Sequence, residues 1–158
     1  QRVGFAIPAR SLANENLLVY VDRPSLVCSN YVMKALDKII EVTAKSVFIE
    51  EQSEPSNGRY LFAYQIVIRN VGGVAAQLKT RHWIITDSNG KTQEVRGEGV
   101  VGEQPHLKPG EEFTYTSAAI IATPVGSMHG SYQMVSDDGE EFDAEIHPFN
   151  LSIPNALH

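Results

Sequence analysis

The stretch that decides the fold reads Arg59-Tyr60-Leu61-Phe62-Ala63-Tyr64-Gln65-Ile66-Val67-Ile68-Arg69-Asn70. Large apolar side chains occupy every second position from Tyr60 to Ile68, and the positions between them hold Leu61, Ala63, Gln65, Val67 and Arg69. Because successive side chains of a strand point to opposite faces, this alternation predicts a β-strand with one buried face. Val71-Gly72-Gly73 then ends the strand.

Turn signals on both sides of this stretch extend the β pattern. Ser88-Asn89-Gly90 separates two strand-like runs, and Asp137-Asp138-Gly139 separates another two. Asn-Gly and Asp-Gly supply the positive φ angles that tight hairpins require. Further apolar runs are Ile40 to Ile49, Phe113 to Thr123 and Phe149 to Ile153. Seven to eight short strands of this kind predict an all-β antiparallel β-sandwich.

Composition narrows the class of protein. The chain has 158 residues, which fits one domain or one domain with an appendage. Its net charge of −6 argues against nucleic-acid partners, because such proteins neutralise phosphates with a basic excess. The sequence has no run of 18 apolar residues, so we expect no membrane-spanning segment. A single cysteine, Cys28, excludes an intramolecular disulfide framework and favours a cytoplasmic setting.

Residues 1–32 differ from the remainder of the chain. Pro8 and Pro24 interrupt any long helix there, and no apolar period persists. Met33 stands immediately before the strand-like pattern, at a position that fits a natural start codon. We therefore interpret residues 1–32 as an N-terminal appendage, upstream or non-native sequence, and residues 33–158 as the domain.

A glycine-rich motif, Gly97-Glu98-Gly99-Val100-Val101-Gly102, matches the spacing of a dinucleotide-binding loop. Such a loop must open a helix, and Pro105 and Pro109 prevent one from starting here. The motif therefore predicts a loop that needs positive φ angles or close backbone packing. A second interpretation is an anion-binding nest formed by the amides of Gly97, Gly99 and Gly102 with help from Arg96.

Metal and catalytic motifs are weak. The histidines are scattered and lack ligand spacing: His82, His106, His129, His147 and His158. No nucleophile has a base partner nearby in the sequence, and no G-x-S-x-G elbow is present. We therefore predict no catalytic residues, no metal site and no cofactor, so the chain is not expected to be an enzyme.

Several separated segments together resemble the bacterial ApaG family. They include Arg81-His82-Trp83-Ile84-Ile85-Thr86-Asp87, the glycine motif followed by Glu103-Gln104-Pro105, Thr123-Pro124-Val125-Gly126-Ser127-Met128-His129-Gly130 and the ending Leu157-His158. The likeness covers Lys34 to His158. It implies an immunoglobulin-like or fibronectin type III-like sandwich. It also implies a link to cobalt resistance and magnesium efflux, and a role in protein–protein interaction like that of similar domains in F-box and DNA-polymerase-interacting proteins.

These observations favour a non-catalytic protein–protein interaction module. We predict a partner surface at Arg81, His82 and Trp83 beside the glycine loop, with a sandwich core position as the alternative for Trp83. A homodimer through an edge strand is also compatible with the pattern. The alternative function is a small-ligand or divalent-ion sensor that binds pyrophosphate-type anions at Gly97–Gly102.

Overall fold

A computed structural model describes residues 38–156, and within them nearly every regular element is a strand. The strands are β1 (Ile40–Phe48), β2 (Tyr60–Asn70), β3 (Ala76–Asp87), β4 (Thr92–Glu98), β5 (His106–Leu107), β6 (Glu112–Ile121), β7 (Val125–Ser136) and β8 (Glu141–Ser152). Two single turns of 3-10 helix, Glu50–Gln52 and Pro55–Asn57, join β1 to β2. The predicted appendage, residues 1–32, lies outside the described residues.

The strands form two antiparallel sheets. One sheet has the order β1-β2-β6, and the other has the order β4-β3-β7-β8. The short strand β5 pairs with the beginning of β3, on the same edge that β4 occupies further along. The predicted all-β antiparallel sandwich and the predicted strand number are both confirmed.

The core lies between the sheets and is rich in aromatic side chains. The predicted face of β2 is buried, with Phe62, Ile66 and Ile68 fully inaccessible. Trp83 on β3 packs edge-on against Tyr64 at a ring-centroid distance of 5.5 Å and against Tyr132 at 6.3 Å. Edge-to-face pairs add to the stabilisation that burial of their area provides. These aromatic contacts therefore join the two sheets inside a core that also contains many aliphatic side chains.

One predicted strand boundary is wrong. Phe149 to Ile153 was expected to be a separate final strand, but Phe149 belongs to β8, which continues to Ser152. Pro148 lies inside this strand, where the register of β8 with β7 shifts between Met128 and Gly130. A bulge of this kind admits a proline inside a strand because the ladder is already interrupted.

The glycine motif is also placed differently from the prediction. Arg96 and Gly97 belong to β4, where they pair with His82 and Arg81. Only the part from Gly99 onward leaves the strand and returns toward β5. The motif is thus the end of an edge strand followed by a connection along the same edge of β3.

Candidate interaction surface around β3 and β4

Arg81 is an anchoring residue and not a free surface cation. Its guanidinium donates hydrogen bonds from Nη1 to the carbonyl oxygens of Glu98 and Gly99, at 2.8 Å and 2.7 Å. Gly97 makes room for this side chain, because a Cβ atom there would lie 3.0 Å from the guanidinium atoms. The first glycine of the motif therefore serves the packing of Arg81 across the β3–β4 pair.

The tip of the motif is a tight hairpin that we call the tip hairpin, residues Val100–Glu103. Val100 and Glu103 exchange two backbone hydrogen bonds of 2.8 Å and 2.9 Å. The two residues between them, Val101 and Gly102, have φ angles of 45° and 83°. Positive φ at both central positions is the pattern of a type I′ turn. Val101 is a β-branched residue in the left-handed region, and it is 56% exposed.

Gly99 closes the base of the tip hairpin. Its φ angle is 59°, and its N–H donates to the carbonyl oxygen of Lys79 at 2.8 Å. A Cβ atom at this position would collide with the backbone carbonyl oxygen of Glu103. The requirement for glycine here comes from close backbone approach, as the sequence predicted for the motif in general.

His82 lies on the outer face of the same sheet, in a charged group with β4. Its Nε2 is 2.9 Å from Glu94 Oε1, and Arg96 Nη2 donates to the same oxygen at 2.7 Å. Arg96 and then His82 lower the pKa of the Glu94 carboxyl from its ordinary value. Arg96 thus pairs with a carboxylate of its own strand and is 68% exposed.

The structure brings some of the predicted site residues together and separates others. Arg81, Arg96 and Gly97 line one shallow depression of about 360 Å³ with Thr80, Glu98 and Gln133. Gly99 and Gly102 line a neighbouring depression together with Glu98, Glu103 and Gln104. The predicted anion loop is therefore divided between two adjacent depressions.

Trp83 is not part of any surface. Its side chain is 2% exposed and lies in the aromatic cluster, so the prediction of a partner contact at Trp83 is wrong. The physical reason is the direction of alternation along β3. Trp83 points inward with Ile85, whereas His82 points outward to Glu94.

Sequence reasoning missed the exposed apolar residues. Val47, Val95, Val101 and Ile120 are between 41% and 59% exposed. Strand alternation could have identified Val47 and Ile120, which occupy the polar phase of their strands. No comparable signal marks Val101, because a valine before glycine does not indicate a left-handed turn.

Residues 38–156 contain no group of three or more histidine, cysteine or acidic side chains placed to hold a metal ion. Over this same range, none of the helices has the length and apolar character needed to cross a membrane.

Comparison with known proteins identifies the family. The sequence profile of the ApaG domain matches residues 50–136. The chain is 59% identical to the ApaG protein of Thiobacillus denitrificans over 119 residues, which is 75% of this chain and 94% of that relative. It is 54% identical to ApaG of Shewanella baltica over 126 residues, covering 80% and 100% of the two chains. A crystal structure of a Bordetella pertussis protein described as ApaA superposes with a TM-score of 0.74 at 45% identity, covering 75% and 97%. The chain therefore belongs to the ApaG family.

Proposed function

We propose that this domain is a non-catalytic protein–protein interaction module and that the tip hairpin is its contact point. The observation that carries the proposal is the exposed, left-handed Val101. A β-branched residue in this region costs about 1–3 kcal/mol of backbone strain, which glycine or asparagine would avoid. Strain of this kind is typical of residues that act in binding. An exposed apolar side chain held on a rigid turn suits a pocket on a partner protein.

The contacts of the motif favour a protein partner over a pyrophosphate-type anion. The Gly99 amide already donates to Lys79, and the Arg81 guanidinium already donates to two carbonyl oxygens. Glu98 and Glu103 lie beside Gly99 and Gly102, where their charges repel an anion. An amide NMR titration with pyrophosphate, ATP, Mg²⁺ and Co²⁺, each added separately, tests this alternative. We expect no saturable shift at Gly97, Gly99 or Gly102.

The proposed setting is the cytoplasm, which suits a chain with a single cysteine. The link to cobalt resistance and magnesium efflux that the family resemblance implies is then expected to pass through the partner protein. Under this proposal the domain itself need not bind either ion.

Site-specific photocrosslinking in bacterial cells tests the contact point. A photoreactive amino acid replaces Val101 in one variant and Asn89, at the tip of the β3–β4 turn, in a matched control. We expect one reproducible covalent adduct from position 101 and none from position 89. The adduct is then identified, and its partner is titrated with purified wild-type protein and the Val101→Asn variant. Equal adducts from both positions, or equal affinity of the two proteins, would refute the tip hairpin as the contact.

A further inference from the structure

The outer edge of β6 is uncovered among residues 38–156. β6 pairs with β2 in unbroken register from Arg69–Glu112 to Tyr60–Ile121, and it is the last strand of its sheet. The backbone of this ten-residue strand therefore has one side engaged by β2 and one side without a strand in the described part of the chain.

Two hydrogen bonds show which backbone groups of β6 face the uncovered side. The Asn70 N–H of β2 donates to the carbonyl oxygen of Glu111 at 2.9 Å. The backbone N–H and C=O groups of odd-numbered β6 residues therefore point toward β2. Gln93 Nε2 on β4 donates to the carbonyl oxygen of Ile120 at 3.3 Å. The backbone N–H and C=O groups of even-numbered β6 residues therefore point to the uncovered edge. Since N–H and C=O of one strand residue lie on the same side, Thr114, Thr116 and Ala118 present both groups to the edge.

This edge lacks the usual protection against added strands. Native sheets guard their edges with charges, prolines or bulges. β8, another outermost strand, contains Pro148 and a bulge, and β4 carries Glu94, Arg96 and Glu98. β6 has one charged residue, Glu112, at its beginning, and its register with β2 has no shift.

The two sheets differ in width on the β6 side. At the opposite side β1 packs against β8, and Ser46 Oγ donates to the Asn150 carbonyl oxygen at 2.7 Å. From the β1–β8 side, the narrower sheet continues with β2 and β6, and the wider sheet continues with β7, β3 and β4. The wider sheet therefore has one more strand, and β4 extends beyond β6. Val95 pairs with Trp83 and so faces the interior, yet it is 41% exposed. In the described part of the chain no strand of the narrower sheet covers it.

Apolar side chains continue around the edge onto the outer face of the narrower sheet. Ile120 is 42% exposed and pairs with Leu61, and Ala118 pairs with Ala63. Val47 on β1 pairs with Ala63 and is 59% exposed. Outer faces of antiparallel sheets are ordinarily polar, and contiguous apolar patches mark interaction sites.

We propose that the β6 edge accepts an extended segment of a partner protein as a fourth strand, which hydrogen-bonds to Thr114, Thr116 and Ala118 and covers Val95. This inference rests on the proposed function as a protein-binding module and adds a second contact region. A second copy of this chain does not fit through its own β6. If the β6 strands of two copies paired, the four-stranded sheet of the second copy would collide with β4 of the first. A single extended segment has no second sheet and avoids this collision.

The surroundings define the chemistry of the segment. Alternate residues face inward to Val95 and outward beside Ile120, so small or β-branched side chains suit both faces. Glu111 and Glu112 lie at the other end of the edge, where lysine or arginine is favoured. In antiparallel pairing the apolar half comes first and the basic half comes last, because β6 runs from Glu112 to Ile121.

The test uses the full chain and a defined peptide, acetyl-Thr-Val-Thr-Val-Thr-Val-Gly-Lys-Lys-amide. In the free protein we expect rapid hydrogen exchange at the amides of Thr114, Thr116 and Ala118 and slow exchange at Tyr115 and Ser117. With peptide at millimolar concentration we expect saturable NMR shifts at the same three amides and at the Val95 methyl groups. A peptide with alternate N-methylated backbone amides is the control and should produce none.

Matched variants separate main-chain pairing from side-chain effects. Thr116→Pro removes an outward N–H without touching the β2 ladder and should weaken peptide binding about tenfold or more. Thr116→Val keeps the N–H and the shape and should bind like wild type. Ala118→Lys supplies a second, charge-based block if the proline variant does not fold.

Four results would overturn the proposal. They are slow exchange at the outward amides of the monomeric free protein, protection that rises with concentration together with a dimer mass, shifts confined to other strands, and no saturable shift at all. The first shows that the chain itself fills the edge, and the second shows that another copy does. A failure here with an adduct at position 101 leaves the proposed function intact, because the tip hairpin is a separate surface.

Discussion

The hydroxyl groups of Tyr115 and Tyr132 lie 2.5 Å apart and form a buried hydrogen bond between the two sheets. Tyr115 belongs to β6 and Tyr132 to β7, so this polar contact joins strands that share no backbone ladder. Both side chains are buried, which means that each hydroxyl depends on the other in place of water. The pair therefore has consequences for stability in alkaline solution.

We predict that the domain loses stability above pH 10. Burial raises the pKa of Tyr115 from 10.0 to about 12 and raises that of Tyr132 as well. A raised pKa favours the neutral form in the folded state, so its stabilising contribution is complete below pH 10 and is lost toward pH 12. Each such tyrosine lowers the free energy of unfolding by about 1.4 kcal/mol per pH unit in this window. Urea denaturation at several pH values measures the slope.

The Tyr115→Phe variant provides the comparison. It removes one ionisable group and should give a shallower slope between pH 10 and 12, although its stability at pH 7 falls because Tyr132 loses its partner. A slope equal to that of the wild type would contradict the assignment of the alkaline effect to this pair.

Gly99→Ala should destabilise the domain more than Gly90→Ala does. Both glycines have positive φ angles, of 59° and 84°, so alanine costs about 1–2 kcal/mol at either position. At Gly90 the added methyl group meets nothing within 4 Å, whereas at Gly99 it meets the Glu103 backbone carbonyl. Chemical denaturation followed by far-UV circular dichroism compares the two. Equal losses of stability in the two variants would show that the backbone of the tip hairpin moves to accommodate the added methyl group.

Val101→Gly should stabilise the domain, although it deletes an apolar side chain. The side chain is largely exposed, so little burial is lost, and glycine relieves about 1 kcal/mol or more of left-handed strain. The same denaturation experiment measures the gain, with Val95→Gly as a control that should be destabilising. A loss of stability at position 101 would mean that the hairpin needs the valine for folding.

Ser136→Ala should raise the pKa of Asp138. The Ser136 hydroxyl donates to Asp138 Oδ1 and Lys38 Nζ donates to Oδ2, and together they lower this pKa from 3.8 to about 2. With a depressed pKa the stabilising contribution is present above pH 3.8 and is lost as the pH falls toward 2. NMR titration of the Asp138 carboxyl measures the change. An unchanged pKa in the variant would assign the shift to Lys38 and the backbone N–H of Glu140.

The sequence predicted the strands whose alternation is regular and missed features that depend on bulges. β2 was predicted residue by residue because its buried face repeats without interruption. In β3 the register shifts between Leu78 and Thr80, so the inward set changes from Ala76 and Leu78 to Trp83 and Ile85. Local sequence does not reveal that phase change, and it decides that Trp83 is a core residue.

For the glycine motif, the sequence predicted the need for close packing but not the groups that impose it. Glycines at 97 and 99 were expected to serve close packing, and they do. Their partners, the Arg81 guanidinium and the Glu103 carbonyl, come from a neighbouring strand and from the far side of a turn. Such partners follow from pairing register, which a single sequence does not specify.

The position of Trp83 makes its intrinsic fluorescence a probe of folding. It is the single tryptophan of the sequence. Its ring centroid lies 5.5 Å from that of Tyr64 on β2 and 6.0 Å from that of Phe149 on β8. Its fluorescence therefore depends on both sheets being assembled around it, because unfolding exposes the indole ring to water. Unlabelled protein thus reports its own unfolding, so small amounts of each variant are sufficient to rank them.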